Sequence, residues 1–439
     1  MDRQSGGSGG WHGWALSPVQ KGLLLHQGDG GTAYVDQMIC RLSGELDVPV
    51  ARRTLDTLIG RHDALRCRFT DGLARQEFPA RAPAKPAFRD LRAARDPRAL
   101  VERFAAYDVT RGLDLPAQTS RCHLFRLSAT EHVLVWTYHH AIADSWTLRL
   151  LQDEFCEIYR RGTAPDPKAP SITSYLDWVG AQDQAKARTF WRDHLARYRP
   201  RPERRASGLH RAAPSAATEV RLGAAVRADV EAARRACKAT ANAVILAAWG
   251  VCALDLSQRR ACLIGCVTAG RGVPVDGIER MAGALANTVP AVVCAGTALG
   301  DLVRRLRDHA FAASRHSYLS LGDIMACAGL RPADLHSVVN FTLDREEVKT
   351  EGLPFTIPVV RYHDQATFPA YCDVEVERDD VRIRVRYDPD TRFFCGATIR
   401  RKFALVLRSL LENPGGSVGD LLDAMTAEEF TAGEAPLSF

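Results

Sequence analysis

The sequence predicts a mixed α/β (α+β) protein of two lobes. Its 439 residues exceed what one compact core usually holds. Short runs rich in β-branched and aromatic residues alternate with segments whose apolar residues recur at helical spacing. Near residues 197–218 a Pro/Arg/Ala/Ser mixture buries little and reads as a linker. The expected division is a flexible Gly/Ser-rich N-terminus at 1–15, a first lobe at 16–196, the linker at 197–218 and a second lobe at 219–439.

Each element has a local cause. Ser17 can cap a helix that Pro18 opens and Gln20 completes as a capping box. A Gly-rich break at Gly28 to Gly31 precedes a strand from Tyr34 to Leu42, and a helix from about Pro49 to Gly60 places Leu55, Leu58 and Ile59 on one face. The run His132 to Tyr138 reads as a buried strand ending at His139-His140. Asp144 or Ser145 can cap the next helix, whose Leu148, Leu151, Phe155, Ile158 and Tyr159 form an apolar stripe. A helix-like segment near Phe190-Trp191 leads into the linker. Beyond it come a helix at Ala241 to Leu254, a strand at Cys262 to Val267, a turn at Gly270-Arg271-Gly272, strand-like alternation in Ser337 to Leu343 and Cys372 to Tyr387, and a helix from about Thr398 to Leu411.

Composition excludes several classes. The chain is 46% hydrophobic and 25% charged, which removes disordered, collagen-like and coiled-coil readings. A net charge of +6 is mild attraction for acidic partners and far short of a nucleic-acid footprint. No apolar stretch is long enough to span a bilayer and the N-terminus has no signal-peptide core, so a cytoplasmic protein without membrane contact is expected. The 12 cysteines are scattered among apolar neighbours with no C-x-x-C pair, and read as reduced core residues.

The strongest chemical candidate is His139-His140-Ala-Ile-Ala-Asp144, a histidine pair at a strand end on the loop entering a helix. An imidazole there can take a proton from an attacking amine or hydroxyl. The same spacing also serves two packed histidines and a helix cap. A shared metal is disfavoured, because successive strand residues point to opposite faces. Gly6 to Gly10 formally fits G-x-S-x-G but lacks a preceding strand. The basic run Arg201 to Arg205 has no interleaved aromatics and reads as solvated. No Walker loop or dinucleotide fingerprint occurs in a strand-to-helix context.

At the histidine pair the chain resembles the condensation domains of nonribosomal peptide synthetases, whose signature is H-H-x-x-x-D-G. Further segments follow in the family's order: Leu16 to Gln20, Arg61-His-Asp-Ala-Leu-Arg66 through Phe69, Ser174 to Trp178 with Phe190-Trp191, Gly265 to Arg271, Gly283 to Pro290, and Ser337 to Phe341. The resemblance implies two chloramphenicol-acetyltransferase-like lobes in a V-shaped pseudo-dimer around a central substrate tunnel, crossed by segments of the second half, one near Gly283 to Pro290. It implies acyl transfer from a carrier-protein phosphopantetheinyl thioester to a small-molecule or carrier-bound amine or hydroxyl, forming an amide or ester in nonribosomal peptide or polyketide biosynthesis. No cofactor is expected on the protein itself, the substrates being carried on phosphopantetheine. Carrier proteins are expected in trans, because no adenylation or carrier domain follows.

Carried over by position, His140 becomes the active-site histidine, which either deprotonates the acceptor or orients it and stabilises the tetrahedral intermediate. His139 supports the loop by packing. Asp144 resembles the structural aspartate that pairs with an arginine, with Arg61 the first choice and Arg66 the second. Ser145, Trp146 and Asn340 are substrate-contact candidates. Ser145 replaces the motif glycine, adding a Cβ and a hydroxyl where the backbone approaches the substrate arm. His316-Ser-Tyr318 matches H-x-x-Y-P-F only loosely. The epimerase segment E-G-H-G-R has no counterpart, and heterocyclising relatives carry aspartate in place of the histidines. Competing readings are a coenzyme A-dependent acyltransferase of the same superfamily and a catalytically silent platform that recruits carrier proteins.

Overall fold

In the computed structural model, residues 13–25, 32–81, 85–198, 216–343, 348–363, 368, 370–387 and 396–431 are described. The Gly6 to Gly10 match, the break at Gly28 to Gly31, the run Arg201 to Arg205 and most of the expected linker lie outside them.

The chain forms two compact units. One comprises Met1–Gln182, Val273–Leu285 and Val348–Gln365; the other comprises Asp183–Gly272, Ala286–Glu347 and Ala366–Phe439. This division departs from the expected one in two ways. The helix Gln184–Leu195 belongs to the second unit, because its Trp191 is fully buried there and donates its indole N–H to the His316 carbonyl at 2.9 Å. Two later segments also return to the first unit, a long-range arrangement that linker composition cannot encode. The residues 216–218, expected to end the linker, begin the strand Ala216–Arg221.

In the first unit a five-stranded sheet runs in the order Phe355–His363, Val35–Gly44, Glu131–His139, Ser120–Arg126, Ala87–Asp90. All neighbours are antiparallel except the last pair. Every residue of Glu131–His139 after the first is buried, as expected for a strand covered on both faces. Leu134, Trp136 and Tyr138 pack with Leu55 and Leu58 of the helix Val48–Arg61 and with Leu148, Leu151 and Phe155 of the helix Ser145–Arg161. Val133 and Val135 face the helix Pro97–Thr110 through Val101 and Ala105. The helix Pro18–Leu24 opens as read, with Ser17 at its cap and a reciprocal Gln20 capping box.

The second unit has a six-stranded sheet in the order Asn287–Cys294, Ala261–Thr268, Leu335–Leu343, Ala370–Val376, Val381–Tyr387, Ala216–Arg221. Leu335–Leu343 pairs parallel with both neighbours. The helix Ala241–Leu256 is apolar all round and buried from Ala243 onward, the placement such a helix demands. Its Trp249 donates to the Ser337 hydroxyl at 2.8 Å. Among the described residues no single helix is long and apolar enough to cross a membrane.

Candidate active site

The sheet of the first unit presents the histidine loop. Glu131–His139 ends in a single 3-10 turn, His140–Ile142, before the helix Ser145–Arg161 begins. The turn is tied to the sheet by its backbone: His139 N–H donates to the Thr119 carbonyl at 3.0 Å and His140 N–H to the Tyr34 carbonyl at 2.8 Å. Gln20 reaches in from the first helix and donates to the Ala141 carbonyl at 3.0 Å, and it is itself bonded to Gln76. The loop therefore rests on buried amide groups of two other elements.

The two histidines occupy contrasting environments. The His139 ring is fully buried, sits edge-on to Phe69, and accepts the Ala141 N–H on Nδ1 at 3.1 Å. Burial, with the neighbouring His140 adding to it, pushes its pKa down from 6.5 to about 3. The His140 side chain is 36% exposed, and its Nδ1 lies 2.7 Å from Oδ2 of Asp36, whose side chain is only 6% exposed. The His139 ring is thus enclosed by the loop and its neighbours, while the His140 imidazole is the one of the pair that reaches solvent.

Asp144 is buried and caps the helix, accepting the Thr147 N–H at 2.8 Å on one carboxylate oxygen and the Leu285 N–H at 3.1 Å on the other. Thr147 continues the contact: its hydroxyl accepts from the Gly283 N–H and donates to the Gly283 carbonyl. Gly283 has φ +159°, and a Cβ there would fall 2.5 Å from Cδ1 of Ile172. The segment 273–285 is thereby fastened through its backbone to the start of the helix Ser145–Arg161, and glycine at 283 leaves room for the Ile172 side chain.

The expected arginine partners of Asp144 are corrected. Arg61 pairs with Glu154 at 3.1 Å, and His62 Nε2 lies 2.7 Å from the same carboxylate oxygen. Glu154 is ten residues beyond Asp144, about 15 Å further along the helix, so an arginine held there cannot reach the cap. Arg66 pairs with Asp63 at 2.5 Å, within its own segment. The Arg61-to-Arg66 segment therefore clamps the helix Ser145–Arg161 at its middle.

Of the substrate-contact candidates, Ser145 is exposed at the first helical position and Trp146 is 45% exposed, with its indole donating to the Glu279 carbonyl at 2.9 Å. Asn340 lies in the second unit, where its amide donates to Asp373 at 3.0 Å and Asp373 in turn pairs with Arg386. Asp36 is the residue that sequence reading missed. A signal was present, since aspartate is depleted from strand interiors and here it stands in a strand between Val35 and Gln37.

Buried neutral histidines make stability depend on pH. His139 and His309 both have pKa values pushed down from 6.5 to about 3, chiefly by burial. Below about 6.5 the unfolded chain binds protons that the folded chain refuses, so stability falls as pH drops from 6.5 toward 3. At pH 5.5 each residue should remove about 1.4 kcal/mol relative to pH 7.5 or above. Urea unfolding at pH 7.5 and 5.5 checks this, and equal free energies at the two pH values would contradict it.

Comparison with known proteins places the chain in a family. The family model described as Condensation domain covers residues 12–429. Bacitracin synthase 3 of Bacillus licheniformis is 28% identical over 356 residues, covering 76% of this chain and 6% of that protein. A linear gramicidin synthase polypeptide of Brevibacillus parabrevis is 27% identical over 439 residues, covering 93% of this chain and 6% of that polypeptide. The chain thus spans a small fraction of the length of the curated relatives it matches. Among solved structures, the condensation domain from the Monacolin K polyketide synthase MokA superposes with a TM-score of 0.75 at 17% identity, covering 92% of this chain and 98% of that one. VibH, an NRPS condensation enzyme, gives 0.73 at 16% identity, covering 92% and 98%. With the family model spanning nearly the whole sequence and the histidine loop built as described, the chain belongs to the condensation domain family.

Proposed function

We propose that this chain transfers an acyl group from a carrier-protein phosphopantetheinyl thioester to an amine or hydroxyl acceptor, forming an amide or ester in natural-product assembly. The observation that carries this reading is the part-exposed His140 held beside a buried carboxylate on a loop braced from several sides. A thioester carbonyl is already activated, so the step needs a positioned proton acceptor rather than a nucleotide. The donor side is argued from the family and from relatives named as peptide synthases.

The direct test offers one acyl group on two carriers, a loaded carrier protein and coenzyme A, with a panel of free and carrier-bound acceptors. Faster product formation from the carrier-bound donor supports the proposal. Preference for the coenzyme A thioester would favour the acyltransferase alternative, and carrier binding without turnover on any acceptor would favour the recruitment platform.

Ser145 bears on acceptor choice. It is exposed next to Asp144, with Ala143 and Asp144 between it and the histidine turn. Ser145→Gly should leave folding and donor consumption nearly unchanged while relaxing discrimination between acceptors. Acceptor competition kinetics measure it, and an unchanged selectivity profile would remove Ser145 from the residues that set specificity.

A further inference from the structure

The pairing register explains why Asp36 and His140 meet. Asp36 lies directly opposite Tyr138 across the antiparallel pair Val35–Gly44 and Glu131–His139. Side chains at alternate positions share a face, so His140 follows Tyr138 on the face that Asp36 occupies. The bond from His140 N–H to the Tyr34 carbonyl carries the pairing one step past the strand end and brings the imidazole diagonal to Asp36. The next three residues on that face of Val35–Gly44 are Met38, Cys40 and Leu42, all buried and apolar. A carboxylate in such a row is unfavourable to the fold, since an apolar side chain would fill the position without desolvating a charge.

We infer that Asp36 is a positioning residue that holds His140 in the tautomer carrying its proton on Nδ1, leaving Nε2 as the proton acceptor of the reaction. The chemistry follows from the two groups. An imidazole is the more basic partner by its reference value, so the shared proton resides on Nδ1 and the carboxylate accepts it. In that neutral ring Nε2 bears a lone pair. It can receive a proton from an attacking group, and it cannot donate to a developing oxyanion until it has done so. The inference rests on the acyl-transfer reading and selects between the two roles left open for His140. As the acceptor N–H or O–H attacks the thioester carbonyl, the new C–N or C–O bond forms and the proton passes to Nε2. When the tetrahedral intermediate collapses, the C–S bond breaks and the departing sulfur takes that proton from His140. The products are the amide or ester and a free phosphopantetheine thiol, with His140 neutral again.

The experiment has two readouts. Selective 15N-histidine labelling, with the His140 signals assigned by their loss in His140→Ala, reports the tautomer of the neutral ring. The wild type should carry the proton on Nδ1, whereas Asp36→Leu should move toward the Nε2-protonated form. In steady-state kinetics with a loaded carrier donor, Asp36→Leu should lower kcat by about 100-fold or more, with KM for both substrates within about threefold, and the melting temperature should stay level or rise. Neutral wild-type His140 protonated on Nε2 would overturn the inference whether or not the variant folds. A folded Asp36→Leu with wild-type kcat would also overturn it. An Nδ1-protonated His140 in a wild-type protein that turns over no donor would support the tautomer assignment and count against the acyl-transfer reading instead.

Discussion

His140→Ala should lower turnover by about two to four orders of magnitude, the range a positioned general base supplies, with the melting temperature nearly unchanged. The separation of effects follows from the site. The imidazole is 36% exposed and contributes little apolar burial, while the loop's own anchors are the His139 ring, the Gln20 amide and backbone bonds that alanine leaves in place. Single-turnover acyl transfer from a loaded carrier, corrected for the uncatalysed rate, measures the first quantity and thermal unfolding the second. Near-wild-type product formation would remove His140 from the chemistry. Loss of activity together with a large drop in melting temperature would mean that the imidazole is structural.

Asp144→Ala should behave in the opposite way, destabilising the protein by about 3 kcal/mol and losing activity as a consequence. The carboxylate fills a helix cap, worth about 0.5–2 kcal/mol, and it satisfies the buried Leu285 N–H, whose orphaning costs about 1–3 kcal/mol more. Its two oxygens thus hold the helix start and the segment 273–285 together. For a unit of this size the melting temperature should fall by about 6–12 °C. Asp144→Asn is the sharper variant: one oxygen survives to cap Thr147, but an amide N–H now faces the Leu285 N–H. Unchanged stability with abolished turnover would instead give Asp144 a direct part in the reaction.

What the sequence disclosed depended on whether the signal was local. The strand into His139, the cap at Asp144 and the capping box at Ser17 were all legible, because an apolar run, a cap residue and a four-residue spacing carry their own physics. The helix Pro97–Thr110 had equally good local signals, with Asp96 at its cap and Pro97 at its first position, but its sparse apolar face made it easy to pass over. Pairings between distant segments were not legible. Nothing in the composition of Phe355–His363 says that it joins Val35–Gly44 at the edge of the first unit's sheet.

The candidate site divides along the same line. That His140 would stand on the turn after the strand and Asp144 at the start of the next helix was readable from motif and element boundary together. The partners were not, because a side chain's partner depends on register and crossing geometry. Arg61 and Arg66 were sensible choices on charge, yet they pair with Glu154 and Asp63, and the distant Leu285 N–H that Asp144 also accepts is marked by no sequence pattern. Asp36 escaped for the same reason: only the register that sets it opposite Tyr138 reveals that its carboxylate faces His140.

We propose that His140 drives acyl transfer from a carrier-bound thioester, and intact-protein mass spectrometry of a loaded carrier can follow the mass of the acyl group as it leaves phosphopantetheine in the presence of acceptor. The wild type should show acceptor-dependent loss of that mass with matching product formation, and His140→Ala should lose it only at the uncatalysed rate. Equal rates of acyl loss in the two proteins, or loss in the wild type that yields only the hydrolysed acid across the whole acceptor panel, would contradict it.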